Sequence, residues 1–457
     1  MNLKKKWNLS SDYVEEEIVL HGKPMVIFYN EVLTDASKIN QFILGRLTKL
    51  TSEELKEFPF CLPSIHPIQI LEKDILTYVN NGFVVLLFDK KIVAYELKSS
   101  LGRGVQNIES ELSLYGPKDS FSEVFSTNLG LIRKRIKKDL KVKEYSVGRY
   151  SQTKIGVLYV KGIVKNALVK KLEKDIQKIN IDGILDSSYL KDFFQKKFHL
   201  FPTIMMSERP DKCSMALLEG KVVILVDNSP YALILPTFFF DYFHTTDDYY
   251  QKAFHTSFIR LIRVFAFLIA IFTPAVYIAV TTRNYNLVPL PLLLMLKAGR
   301  SFVPFPAYLE ALFMIICFEI LKESDLRMST KTGSAISILG GLILGDAAVA
   351  AGIVSPIMII IIAISSISGL LFPSIELENA LRSYKLFFLF LGTILGIYGV
   401  LLGTIIMLFH ILSTKSFDYP YLSFHINTLK DSIIRIPTKI KRRNKELSYN
   451  EIRGRME

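Results

Sequence analysis

Three acids set in apolar stretches are the residues best placed to do chemistry: Glu310 and Glu319 within 302–321, and Asp346 within 333–372. Each costs on the order of 2.5–3.5 kcal/mol at membrane depth, so such acids face a wet cavity, an ion path, a proton relay or a partner. Asp346 is the sole formal charge from Gly333 to Phe372. Around it Gly333, Ser337, Gly341 and Gly345 fall four apart, which stacks them on one helix face and lets a second backbone approach closely. The same spacing also serves a helix packed against its own neighbours, and spacing does not separate the two.

Other chemistry lacks its residues. No HExxH, P-loop or GxSxG pattern occurs, and Leu101-Gly102-Arg103-Gly104 lacks the third glycine and the Lys-Ser/Thr of a phosphate loop. The seven histidines are scattered, His244 and His255 being the nearest pair, which fits no helical metal site. Cys61, Cys213 and Cys317 suggest neither a disulfide framework nor a CxxC knuckle. The expectation is a protein with no catalytic, cofactor or metal site, and not an enzyme.

The elements that position the acids follow from composition. Of 457 residues 50% are hydrophobic and 22% charged, a mixture that requires segregation along the chain. The net charge of +13 suits nucleic acid or an anionic membrane face, and the apolar half favours the membrane. MNLKKKWNLSSDYVEEE has basic residues with no apolar run after them, so the N-terminal region is expected to stay in the cytosol.

In order, 1–22 reads as a flexible polar segment. Residues 23–138 read as a first α/β lobe with strands at 25–29, 83–88 and 92–97, a hairpin at Asp89-Lys90-Lys91, and a basic connecting helix. Ser120 and Glu123 have capping-box spacing for that helix. Arg133, Lys134, Arg135, Lys137 and Lys138 crowd its end, as an anion or membrane patch or as a solvated terminus. Residues 139–250 read as a second α/β lobe, with strands at 155–163 and 221–227 and helices at 166–179 and 187–198. Its aromatic close, Thr237 to Tyr250, suits a headgroup layer.

Residues 251–413 read as an α-helical, polytopic membrane domain and 414–457 as a basic cytosolic tail. Spans are expected at 258–280, where Arg260 and Arg263 would sit at the membrane interface, at 302–321, within 333–372, and as one long helix over 386–412. The short 290–296 run suits an interfacial or re-entrant segment. Basic flanks at both ends predict cytosolic termini and an even number of crossings, four or six. The fold class is thus an α+β cytosolic N-terminal region of two small α/β lobes, followed by the helical membrane domain.

Several long segments, in order, carry a resemblance. They include YGPKDSFSEVFSTNLGLIRKRIK (115–137), FPTIMMSERPDKCSMALLEGKVVILVDNSPYALILP (201–236), LKAGRSFVPFPAYLEALFMIICFEILKESDLR (296–327) and SAISILGGLILGDAAVAAGIVSP (334–356). These resemble the A subunits of the nutrient germinant receptors of endospore-forming bacteria, the GerA family. The resemblance implies a multi-pass receptor subunit in the spore inner membrane, working with a transporter-like B subunit and a lipoprotein C subunit and binding no nucleic acid. It also implies self-association, as a pentamer, into a nutrient-gated ion channel. Carried over by residue, it picks out Glu208-Arg209-Pro210-Asp211, Arg260, Arg263, Val303 to Pro306, and Glu310.

Two departures stand out. Arg327-Met328-Ser329 replaces an RLP-like motif, and Asp346 stands where the family often has Gln. An Asp there also occurs in a paralogue encoded with dipicolinic-acid channel genes. An accessory protein modulating ion or dipicolinic acid release is therefore an alternative, as is a membrane-anchored scaffold for germination factors. Within the channel reading, the helix from Gly333 to about Ala351 is expected to line the oligomer axis. Leu344 and Val349 would then lie near a constriction, and Asp346 would form a charge ring favouring cations.

Overall fold

Alternation in YVEEEIVL and KPMVIFYN builds the first hairpin, β1 (Tyr13–Leu20) against β2 (Lys23–Asn30), with Tyr13 opposite Asn30. His21 and Gly22, both at positive φ, make the tight turn that right-twisted strands require. The segment expected to be flexible thus carries an edge strand. It reads as polar because Glu16 and Glu17 face solvent, which also discourages pairing with other chains. Glu15 ties the chain start to it, accepting from the backbone N–H of Leu3 (3.0 Å) and Lys4 (2.9 Å).

This computed structural model describes residues 3–51, 58, 67–89, 91–99, 111, 113–195, 199–327, 340–341, 343, 345–422, 432, 434–435 and 447–448. The chain forms two units: Met1–Lys197 with Ile204–Thr237 and Pro437–Glu457, and Phe198–Thr203 with Phe238–Ile436.

The first unit holds two five-stranded sheets. β3 (Ile68–Gln69), β4 (Phe83–Phe88) and β5 (Lys91–Glu96) complete the first, in the order β1-β2-β4-β5-β3. β6 (Leu140–Val147), β7 (Thr153–Val160), β8 (Met205–Ser207), β9 (Val222–Val226) and β10 (Ala232–Leu235) form the second, in the order β6-β7-β9-β10-β8. The two orders are the same, so the lobes repeat one topology. Among the described residues every pairing in the two sheets is antiparallel, so the two small lobes of mixed strands and helices are of the α+β kind given for the N-terminal region as a whole.

Both faces of the first sheet are covered. Ile27, Leu86 and Val93 pack with Ile39, Ile43 and Leu47 on one side. Their strand neighbours Phe28, Val85 and Ala94 pack with Ile75, Val79 and Leu3 on the other, as the two-residue strand period dictates. The basic helix, Phe125–Arg135, belongs to the second lobe instead of the first, since it packs on helix Pro210–Leu218 and on β9. Its start is held by the Asp227 carboxylate, which accepts from Phe125 N at 3.1 Å, and no Ser120–Glu123 capping box forms. The tail touches this lobe too: Lys165 N donates to Leu447 O at 3.0 Å beside a Val164–Ser448 bridge.

In the second unit, helix Ala253–Ile278 lies against Pro356–Gly369 and Ile375–Leu395. Helix Leu290–Ala298 has nine residues and spans about 13 Å, less than half of a bilayer core. The helix after it runs Ala307–Arg327. The aromatic stretch 238–250 lies inside this unit: Phe239 and Phe243 pack on Phe267, with Phe372 against Phe243. Phe239 and Phe243 thus serve internal ring packing, while Tyr250 is exposed.

The span expected over 386–412 is two helices. Ile375–Leu395 and Ile397–Ser413 meet at Gly396, whose φ of +63° admits glycine with little penalty. They fold back on each other, because Tyr384 Oη lies 2.5 Å from His410 Nδ1, and a Cβ on Gly403 would meet Phe388. The apolar run is continuous, so hydropathy alone merges the arms.

Candidate functional site

Three clusters of charge stand out among the described residues of the helical unit. At the start of helix Ala253–Ile278, Arg263 Nη1 donates to Asp248 Oδ2 at 2.8 Å and to Phe243 O at 2.8 Å. Arg260 Nε donates to the same oxygen at 3.0 Å. Burial acts to raise the Asp248 carboxyl, but the Arg263 hydrogen bond and the charges of Arg263 and Arg260 outweigh it and hold it below its ordinary value. Both arginines are buried, and both pair with Asp248.

The second place is Glu310, 1% exposed. Arg300 donates from Nε (3.1 Å) and Nη2 (2.7 Å) to Oε1, while Ser355 donates from N (3.1 Å) and Oγ (3.0 Å) to Oε2. Both oxygens of the acid are occupied, and it pins the first turn of helix Ala307–Arg327 to Arg300, ten residues before it, and to Ser355, 45 residues after it. Tyr277 Oη is buried nearby in the same core with no hydrogen-bond partner among the described residues.

At the third place Glu319 lies 2.8 Å from Arg382, Lys322 pairs with Glu378, and Lys385 is buried beside them. Asp346, by contrast, is exposed on a helix described over 345–350, with Val349 half-buried on it. A Cβ on Gly341 would meet Leu321, while Gly345 has open space where a side chain would stand. Gly333, Ser337 and Leu344 lie outside the described residues.

In the first unit Arg209 forms a short-range pair with Asp211 (3.0 and 2.8 Å), and Arg209 Nη1 and Nη2 also donate to the carbonyls of Glu111 and Pro117. Of the basic run, Arg133 pairs with Asp12 and Arg135 with Asp119, so neither is free for an outside anion. Asp248, Arg300, Ser355, Arg382 and Lys385 were not visible as site residues in the sequence. Arg300 and Ser355 lie in conspicuous Gly- and Pro-flanked segments, the signal that could have drawn attention to them.

The chain matches the family model of the Bacillus/Clostridium GerA spore germination protein over residues 1–447. This chain belongs to the GerA family. Spore germination protein KA of Bacillus subtilis (strain 168) is 38% identical over 341 residues, which are 73% of this chain and 63% of that protein. Spore germination protein GerQA of Bacillus cereus is 33% identical over 447 residues, covering 96% of this chain and 89% of its own length. The N-terminal domain of the A subunit of the Bacillus megaterium spore germinant receptor GerK3, a crystal structure, is 24% identical with a TM-score of 0.39, over 52% of this chain and 92% of that one. The resemblance read from 115–137 and the segments after it therefore extends, as GerA membership, across both units.

Proposed function

We propose that this GerA chain is the A subunit of a nutrient-responsive spore germination receptor, and that its helical unit is embedded in the spore inner membrane. The observation that carries this is an outward apolar face. On helix Ala253–Ile278, Phe258, Leu261, Ile262, Phe265, Leu268 and Ile269 are exposed at helical spacing, while Ala266, Ala270 and Ile271 are buried. Helix Ile397–Ser413 exposes Tyr398, Leu401, Ile405 and Phe409 in the same way. Such stripes need lipid or other subunits over them. Helix Ala253–Arg283, with 31 residues, is long and apolar enough to cross a bilayer, and Pro356–Gly369 and Ile397–Ser413 are shorter apolar helices.

In this reading the chain is multi-pass with both termini cytosolic, assembles as a pentamer, and acts with a transporter-like B subunit and a lipoprotein C subunit as a nutrient-gated ion channel. The exposed Asp346 and the open space at Gly345 suit a helix that faces a pore or a neighbouring copy. Reconstitution with the B partner tests it. Nutrient-dependent cation conductance is expected, and Asp346→Asn is expected to assemble normally and lower cation preference in reversal potentials. Unchanged selectivity in that variant would place Asp346 against a protein partner. Absence of conductance, with the complex intact, would turn the assignment toward an accessory or scaffolding role.

A further inference from the structure

Where helix Ala307–Arg327 approaches the polar half of helix Ile375–Leu395, the helical unit holds a cavity of about 350 Å³. That volume falls in the range of small-ligand sites. Phe318, Leu321, Leu370 and Leu381 make its apolar wall. Its charged lining is balanced, with Glu319, Asp325 and Glu378 against Lys322, Arg382 and Lys385.

The balance is uneven in space. Lys322 is taken by Glu378 and Arg382 by Glu319, and Asp325 is exposed at the rim, where water screens it. Lys385 remains. It is 6% exposed, yet among the described residues its ammonium has no hydrogen bond and no ion pair. Arg382 Nε is also buried with no hydrogen-bond partner among them, as is Glu319 Oε2, whose charge is met instead by Arg382 Nη2 at 2.8 Å. An unpaired buried ammonium is costly, and water solvates it without neutralising it. Two unused cationic donors thus meet one apolar-walled space. Glu319 and Glu378 in the same lining oppose a second negative charge on any occupant.

We propose that this cavity binds a monoanion: one carboxylate or phosphodiester group carried on a compact apolar body. The charged group sits on Lys385 Nζ and Arg382 Nε, and the body lies against Phe318, Leu370 and Leu381. A soluble monocarboxylate and a lipid headgroup both offer this chemistry. Binding at Lys385 does not require that the assembly conduct ions.

The test uses the full chain in an uncharged detergent, as wild type, Lys385→Arg and Lys385→Met. Each is titrated with benzoate at constant ionic strength, with succinate as the dianion, and separately with phosphatidylglycerol or phosphatidylcholine in mixed micelles. The thermal midpoint is read throughout. Benzoate or phosphatidylglycerol is expected to raise it saturably in wild type and Lys385→Arg, and not in Lys385→Met, with succinate less than half as effective as benzoate. A rise with benzoate assigns a soluble carboxylate; a rise with phosphatidylglycerol alone assigns a lipid headgroup. No saturable rise with either probe, or the same rise in Lys385→Met, overturns the proposal. Ligand-free Lys385→Met is expected to melt no lower than wild type, since an unpaired charge has gone. If it does not fold, Lys385→Gln replaces it in the same comparison.

Discussion

Arg133 of the second lobe reaches into the first, its Nη2 lying 2.8 Å from both oxygens of Asp12, with the two side chains 2% and 1% exposed. The Asp12 carboxylate also accepts from Asn30 Nδ2 at 2.8 Å, and the guanidinium stacks 5.2 Å from the Tyr13 ring. One buried charge pair thus bridges two copies of the same topology. Its surroundings give both ions further partners, which is the condition under which such a pair is tolerated.

Removing one member should be worse than removing both. Asp12→Asn is expected to destabilise by about 3–5 kcal/mol, because it strands the Arg133 charge, while Asp12→Asn with Arg133→Met recovers most of the loss. Urea unfolding of the four proteins of this cycle measures it. A single Asp12→Asn within about 0.5 kcal/mol of wild type would mean that the pair contributes only surface-level energy.

The turn at Gly396 makes a topological prediction. Ser383 and Ser413 are both exposed and lie near Tyr384 and His410, which touch. Cysteines placed at 383 and 413, in a background without the native cysteines, should therefore label from the same side of a sealed vesicle. Labelling from opposite sides would restore a single continuous span. Gly396→Leu should lower the thermal midpoint by several degrees. A side chain there meets Asn284 Oδ1, which already accepts from Ile397 N, and φ of +63° is strained for any L-residue.

How much of this was readable in advance depended on the range of the interaction. β2, β4, β5, β7 and β9 were legible because burial on both faces leaves near-continuous apolar runs. β1 was not, since an edge strand keeps a wet face. The shared topology could have been found by setting MVIFYNEVLTD beside IGVLYVKGIVKN, both strand-then-turn segments that feed a helix. Arg260 and Glu310 stood out by their location in apolar helices. Their partners come from short pieces of chain, Asp248 from the one-turn helix Asp247–Tyr250 and Arg300 and Ser355 from the ends of helices, and no periodicity connects such a piece to a base or acid on a long helix. Gly396 looked like any other glycine in a small-residue run, because its special status lies in a dihedral angle.

Asp248 sets an acid limit for the start of the long helix. Its folded pKa is depressed, so its contribution is fully present above the ordinary carboxylate value of about 3.9 and is lost as pH falls through the lower folded value. Stability at this helix terminus should therefore fall below about pH 4. Asp248→Asn should abolish that part of the pH dependence and, by leaving two buried guanidiniums without their anion, cost about 3–5 kcal/mol at neutral pH. Hydrogen exchange over 253–263 between pH 3 and 7 reports it. An unchanged acid profile in Asp248→Asn would assign the transition to another carboxylate.

Glu310 and Asp346 were alike in sequence, as acids in apolar helices, and they are opposites in structure. Asp346 is exposed, whereas Glu310 receives four hydrogen bonds, from Arg300 and Ser355. An acid so occupied, with its charge already neutralised at 2.7 Å, is a poor ion ligand and a strong structural clamp. Glu310→Gln is therefore expected to cost about 3–5 kcal/mol by stranding Arg300. Adding Arg300→Met should restore most of it, and in the channel proposed above whatever fraction assembles should keep the wild-type reversal potential. Thermal unfolding in detergent gives the first two outcomes and bilayer recording the third. If Glu310→Gln instead melts like wild type and shifts the reversal potential, Glu310 lies on the ion path, and the clamp seen here opens in the conducting state.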